Sequence, residues 1–428
     1  MKNKIETISS ELLHQSYSRV EHPSGLTILM CPLTGFSTAY AMFAAKVGSI
    51  DTTFKTQREQ DFVTVPAGIA HFLEHKMFES EEGDTFAKYA KVGASANAYT
   101  SFDRTSYLFA CTDNFRESME ILLNQVTTPY FTQQTVEKEQ GIIGQEIRMY
   151  DDNPGWRVMF NLLGILYHQN PVKLDIAGTV ESIAEISADL LYRCYNTFYN
   201  LNNMVLVVAG NFAEQDVLEL ADKILKKGDD ITISWKKADE PREVVSHLAE
   251  QALPVSTPIF QIGFKGLPGD SLQNLKNQIT DEILLEIICG ESSPLYRKLY
   301  DSGLINGEFE YEVMAGRDYV VSLYEGESRD PQEVYRQLCV EICRLREEGL
   351  PTDAAERCIK ATYGRYISMY CKAEAVAGVM LLTHFCGMDN MYDLLEQVRS
   401  MDMQELTTRF MQDFDPQYSA VSIIKPLK

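Results

Sequence analysis

Two histidines and a glutamate form the sharpest chemical pattern in the sequence. His71, Glu74 and His75 stand at i, i+3 and i+4 within Pro66-Ala-Gly-Ile-Ala-His-Phe-Leu-Glu-His-Lys-Met-Phe78. Pro66 suits a first helical turn, and most positions that are not His or Glu are apolar, so the segment reads as a buried helix. On a helix the three side chains project from one face. Two imidazoles one turn apart can each offer a nitrogen at the roughly 2.0–2.1 Å that zinc prefers, and a catalytic zinc needs one further protein ligand while keeping a position for water. Without a metal, the same face would bury three polar groups whose donors and acceptors need other partners.

The further ligand has to come from another element. Thr132 to Asp152 reads as a helix ending ahead of Pro154, and it carries Glu139 and Glu146 two turns apart on one face. One of the two can complete the set. Gly141 and Gly144 are unexpected inside that helix, where each costs about 0.5–1 kcal/mol relative to Ala. Close approach of a neighbouring helix would account for them. His14, His22, His168 and His247 have no partners at ligand spacing, and His384, among Leu381, Leu382 and Phe385, reads as a core histidine.

The elements that position these groups repeat. The first half opens with strand-like segments at Gly25 to Met30 and Ala39 to Val47 and closes with Met204 to Ala209 ahead of Gly210-Asn211. The second opens with Ile259 to Phe264 and closes with Ser419 to Ile424, and both halves are mainly helical between. Such a long repeat predicts two similar α+β lobes rather than a solenoid, whose period is far shorter. Lysines, acids, a Gly and a Pro crowd together from Lys226 to Arg242, marking a connection. The expected division is a zinc-binding lobe at 1–228, a linker at 229–246 and a second lobe without metal residues at 247–428.

Composition bounds the setting. The chain has 428 residues, 45% hydrophobic and 23% charged, as in a folded globular protein. A formal charge of −22 argues against nucleic acid, whose phosphates require a basic surface. It suits solubility, or a negative concave wall that draws in basic peptides. No apolar run is long enough to span a bilayer, and the first fifteen residues lack the apolar stretch of a secretory leader. The nine cysteines are scattered, with no CxxC pair, and only Cys339 and Cys343 lie one helical turn apart. A cytoplasmic location with core thiols is expected.

The sequence resembles the insulinase and pitrilysin peptidases, inverted-motif zincins whose signature is H-x-x-E-H. Besides His71-Phe-Leu-Glu-His75, the likeness rests on Gly93-Ala-Ser-Ala-Asn-Ala-Tyr-Thr100, Asp103-Arg-Thr-Ser-Tyr107, Glu139 with Glu146, Asp175-Ile-Ala-Gly-Thr-Val-Glu-Ser-Ile183, and Phe198 to Asn211. It covers nearly the whole first half and the second weakly. The resemblance implies a duplicated α+β lobe, each a mostly antiparallel sheet packed with helices, with four lobes enclosing a peptide chamber in one long chain or two half-length ones. This chain is half-length. The resemblance further implies zinc as cofactor, with His71, His75 and Glu146 as ligands and Glu139 supporting the site from behind. Glu74 then takes a proton from the attacking water, and a peptide adds as a strand along Ser95 to Thr100, where Asn97 and Ala98 are the expected contacts.

One departure from the family pattern bears on partners. Many members carry an Arg and, seven residues later, a Tyr that hold substrate and transition state; Tyr300 and Asn306 occupy their approximate places here. The expectation is a zinc endopeptidase subunit for small or unfolded peptides, paired with a second half-length homologue supplying the Arg and Tyr, or forming a homodimer. The alternatives are a weakly active or non-catalytic scaffold subunit of such a pair, or a metal-storing protein. The intact set of His71, Glu74, His75 and Glu146 argues against the scaffold, and a metal store would not need Glu74 as a free carboxylate.

Overall fold

The computed structural model describes residues 4–427; Met1 to Asn3, the first residues of the segment read above for a leader, and Lys428 lie outside them. The chain forms two compact units, each an α+β lobe around one main sheet.

The first sheet contains β1 (Lys4–Ser10), β2 (Gln15–Glu21), β3 (Thr27–Pro32), β4 (Ala39–Ala45), β5 (Ser95–Thr100), β6 (Thr105–Cys111) and β7 (Met204–Gly210), in the order β1-β2-β3-β7-β4-β6-β5. Only β3 and β7 pair in parallel. β4 and β7 are buried at every position, which is why their sequences are continuous apolar or small runs. β5, at the edge, alternates instead: Ala96, Ala98 and Thr100 are half-buried on one face, and Ser95, Asn97 and Tyr99 are exposed on the other.

The second sheet contains β8 (Leu248–Leu253), β9 (Ile259–Lys265), β10 (Glu310–Ala315), β11 (Val320–Glu327) and β12 (Ser419–Pro426), in the order β8-β12-β9-β11-β10 with only β8 and β12 parallel. This is the plan of β3-β7-β4-β6-β5 over again, so the duplication read from the sequence is present in strand order and direction. The expected class, two similar mostly antiparallel α+β lobes, is the observed one.

The helices used below are α1 (Ile69–Lys76), α2 (Gln133–Asp151), α3 (Pro154–Leu166), α4 (Ser271–Cys289) and α5 (Ala373–Cys386). α1 lies on β5 and β6, and α4 lies in the same way on β10 and β11. The units are not contiguous in the chain, unlike the division at 229–246 read from the sequence. The first takes in residues 4–147, Asp175–Lys236 and Ile367–Tyr392, and the second takes the rest. Burial of helix faces is the reason. α3 packs on β8, β9 and β12 of the second sheet, with Leu162 and Leu166 lying over Gly263, whereas α5 packs on β3, β4 and β7 of the first. The chain passes between units at Lys236 and Lys237, within the expected linker, yet that segment is ordered on both sides. Ile233–Trp235 is a strand paired with Thr53–Thr56, and Trp235 stacks on Phe198 at 5.5 Å. Further on, the Glu240 carboxylate accepts from the backbone N–H groups of His168, Gln169 and Asn170.

Two local expectations are corrected. α1 begins at Ile69 rather than near Pro66, because Gly68 caps it in the left-handed region at φ 88°. A side chain at Gly68 would meet the Ala177 carbonyl at 2.3 Å, and one at Gly178, φ 76°, would meet the Ala67 carbonyl at 2.4 Å. Two backbones touch there, and only glycine fits both the space and the dihedral. By contrast, Gly141 and Gly144 mark no close approach: an added Cβ at either would meet nothing within 4 Å.

Candidate active site

α1 and α2 bring the sequence's candidate groups together. His71 Nε2 lies 3.8 Å from Glu146 Oε1, and His75 Nε2 lies 3.3 Å from Glu146 Oε2. The two imidazole rings are 4.6 Å apart. Glu139 sits behind them: its Oε1 is 2.9 Å from His75 Nδ1, the ring nitrogen on the far side from Glu146. Glu139 is buried, as a helical glutamate seldom is without such a partner.

These distances test whether an ion fits. A separation of 3.8 Å is too long for a hydrogen bond and 3.3 Å is a poor one. Ligand atoms held at roughly 2.0–2.1 Å around a tetrahedral zinc lie about 3.3–3.4 Å from one another. The donor atoms of His71, His75 and Glu146 all fall within 4.8 Å of each other, and among the described residues they are the one His/Cys/Asp/Glu group with that property. His71 Nδ1 is buried with no hydrogen-bond partner. Two nitrogens and a carboxylate facing one point are a donor set that suits zinc, and the contact of Glu139 with Nδ1 of His75 leaves Nε2 directed toward Glu146.

Electrostatics follow from burial and neighbours. Burial, then the nearby His75, push His71 down to about 4, so its ring is neutral at physiological pH with a lone pair to share. Burial also draws His75 down, but the contacts with Glu139 and Glu146 and the negative charge of the two carboxylates together outweigh that and push it up to about 9. Burial holds the Glu74 carboxyl above its ordinary value, partly offset by a hydrogen bond from Thr100 and by His75. A base of raised pKa is better matched to neutral pH.

A pocket of about 620 Å³ opens beside the cluster, lined by Glu74, His75, Glu139, Asn97 and Ala98 together with Phe78, Phe86, Tyr130 and Lys138. Phe78 and Phe86 stack at 4.1 Å, giving one wall an aromatic surface. Asn97 and Ala98 thus border the same space as Glu74, although β-strand alternation points them to opposite faces. Sequence reasoning left three features of the site without a part: the Thr100 hydroxyl 2.6 Å from Glu74 Oε2, the buried Tyr107–Tyr199 hydroxyl pair at 2.7 Å, and Lys76, fully buried and paired with Glu79 on the pocket wall. The parity of β5, which puts Thr100 on the face of Ala96 and Ala98, was the available signal for the first.

In the second unit, α4 carries Asp281, Glu282 and Glu286 and no histidine. Asp281 is bound in bidentate fashion by Arg409 at 2.9 Å, and Glu282 accepts from Tyr366 at 3.0 Å, so this helix serves internal pairing. Tyr300 is exposed and stacks on Tyr296, while the Asn306 amide donates to Glu327 at 3.3 Å.

Comparison with known proteins places these observations. A family model described as insulinase (peptidase family M16) matches residues 65–180, and one described as the peptidase M16 inactive domain matches residues 185–362. An uncharacterized zinc protease of Bacillus subtilis, YmfH, is 36% identical over 409 residues, covering 94% of this chain and 95% of that protein. The beta subunit of the mitochondrial-processing peptidase of Caenorhabditis elegans is 32% identical over 186 residues, covering 41% of this chain and 40% of the subunit. A crystal structure of an M16-like peptidase from Alicyclobacillus acidocaldarius superposes with a TM-score of 0.92 at 30% identity, covering 100% of this chain and 99% of the other.

Proposed function

This chain belongs to the insulinase family, peptidase family M16, and from that premise we propose that it is the zinc-carrying subunit of a metalloendopeptidase acting on small or unfolded peptides. The observation that carries the reading is the convergence of His71, His75 and Glu146 beside a pocket bordered by Glu74 and by an edge strand. His71, His75 and Glu146 hold the ion, and Glu139 orients His75. Zinc, when bound, acidifies a water molecule and polarises the scissile carbonyl. Glu74 takes up a proton as water adds to the carbonyl carbon and returns it to the leaving amine nitrogen. The peptide lies as an added strand along β5, whose outer edge has no partner strand among the described residues, with Asn97 and Ala98 in contact. The active assembly is a pair with a second half-length homologous subunit that completes a closed chamber. No helix among the described residues is long and apolar enough to cross a membrane. A cytoplasmic setting is part of the reading, supported by nine free cysteines.

Glu74→Gln tests the core of it. The variant is expected to keep about one zinc per chain and to lose turnover of a peptide library by about 10²–10⁴-fold. Undiminished cleavage by the variant, or no zinc in reconstituted wild-type protein, would refute the reading. A scaffold or metal store would be insensitive to the change.

A further inference from the structure

We propose that Thr100 is a positioning residue for hydrolysis: its hydroxyl fixes the Glu74 carboxylate in the orientation from which it takes the proton. The inference deepens the reading above and rests on it. Thr100 Oγ1 stands 2.6 Å from Glu74 Oε2, a short separation for a hydroxyl donating to a carboxylate oxygen.

The neighbours decide where that proton points. Thr105 faces Thr100 across the β5–β6 ladder, is fully buried, and donates its own hydroxyl to the Val47 carbonyl at 3.0 Å. The two threonine hydroxyls are 3.5 Å apart, a long contact, so the carboxylate is the stronger acceptor for Thr100. The backbone behind Thr100 is fixed as well. Ser101 N–H bonds to the Arg104 carbonyl at 2.8 Å, and Ser49 and Ile50 N–H bond to the Ser101 and Phe102 carbonyls at 3.0 Å each. Threonine is also stiff about χ1, whereas the last torsion of a glutamate is broad and restrained only by what the carboxylate touches. Thr100 is therefore the rigid partner and Glu74 the one held.

The placement has a mechanistic consequence. Thr100 ends β5, two residues beyond Ala98 and on the same face. A peptide aligned on β5 and the base that serves it are then held in one frame, which is the registration that proton transfer in the transition state requires.

The experiment compares wild type with Thr100→Val, which keeps shape and strand preference but removes the donor, and Thr100→Ser, which keeps the donor. Crystal structures and zinc content are read together with kcat and KM. Thr100→Val is expected to release Glu74 from its single orientation and lower kcat by about 10–100-fold, a part of what the base supplies, with KM, zinc content and Tm unchanged. Thr100→Ser is expected to restore both the orientation and the rate to within about 3-fold. An unmoved Glu74 in Thr100→Val, or zinc loss and unfolding that serine fails to rescue, would overturn the proposal. Glu74→Gln run alongside separates the two levels: if it stays active, the peptidase reading falls. If it is inactive while Thr100→Val is fully active, only the role of Thr100 falls.

Discussion

His75 meets a carboxylate at each ring nitrogen, and the two carboxylates are placed differently. Glu139 binds Nδ1 at 2.9 Å and is buried; Glu146 faces Nε2 at 3.3 Å and also faces His71. Glu146→Gln is therefore expected to reduce zinc affinity more than Glu139→Gln, for which about 10–100-fold is the usual scale of a supporting contact. Competition with a chelating dye measures both, and the reverse order would exchange the roles. His384 supports a second prediction at this scale. Burial, with Arg19 next in weight, pushes it from 6.5 down to about 4. As pH falls the unfolded chain takes up the proton first, so the stability held by the neutral imidazole is complete above about pH 6.5 and lost on the way to about pH 4. Urea denaturation should show a shallower loss over that window for His384→Phe than for wild type; equal slopes would place the acid sensitivity elsewhere.

The start of α1 is clamped against a segment more than a hundred residues further along the chain. Gly68 and Gly178 press backbone to backbone, and the Ser182 hydroxyl donates to the Ala67 carbonyl at 2.8 Å from within a capping box with Thr179. Gly178→Ala combines a strained φ with a collision, so a loss of about 1–3 kcal/mol or more is expected, together with weaker zinc binding as α1 shifts. Gly141→Ala should act oppositely. A Cβ added there would meet no described atom within 4 Å beyond its own helix backbone, and removing a helical glycine should raise stability by about 0.5–1 kcal/mol. Chemical denaturation of the two variants checks the contrast; a stable Gly178→Ala would deny the clamp. The sequence held the whole Asp175 to Ile183 segment as a likeness, yet its physical task was illegible, because the task consists of a contact with Ala67 and Gly68, far away in the chain. The same blindness misread Gly141 and Gly144, since local reasoning registers that a glycine is costly and cannot see whether a neighbour stands beside it.

For the molecule as a whole, the two units share one topology and divide the chemistry unequally. The first holds the His71–His75–Glu146 group, while the corresponding helix of the second spends its carboxylates on Arg409 and Tyr366. Tyr300 offers no guanidinium where the family resemblance looks for Arg, and Asn306 offers no phenol where it looks for Tyr. A donor missing from a site that stabilises an oxyanion typically costs about 10²–10³-fold in rate. The zinc-loaded chain alone is thus expected to cleave peptides slowly. Addition of a half-length homologue bearing that Arg and Tyr should raise kcat/KM by about 10²–10³-fold. Full activity of the isolated chain, indifferent to such a partner, would remove the proposed pairing.

The sequence by itself determined the H-x-x-E-H helix, the second helix carrying Glu139 and Glu146, and the repeated α+β plan, because helical spacing and strand patterning are local properties written in consecutive residues. Helical spacing leaves Glu139 and Glu146 equivalent on one face of α2; the family resemblance singles out Glu146, and the docking of α1 is what sets Glu146 against both Nε2 atoms. Tertiary structure alone decided that α3 and α5 cover sheets belonging to the opposite halves of the chain, a choice governed by which apolar faces can be buried together rather than by order along the backbone.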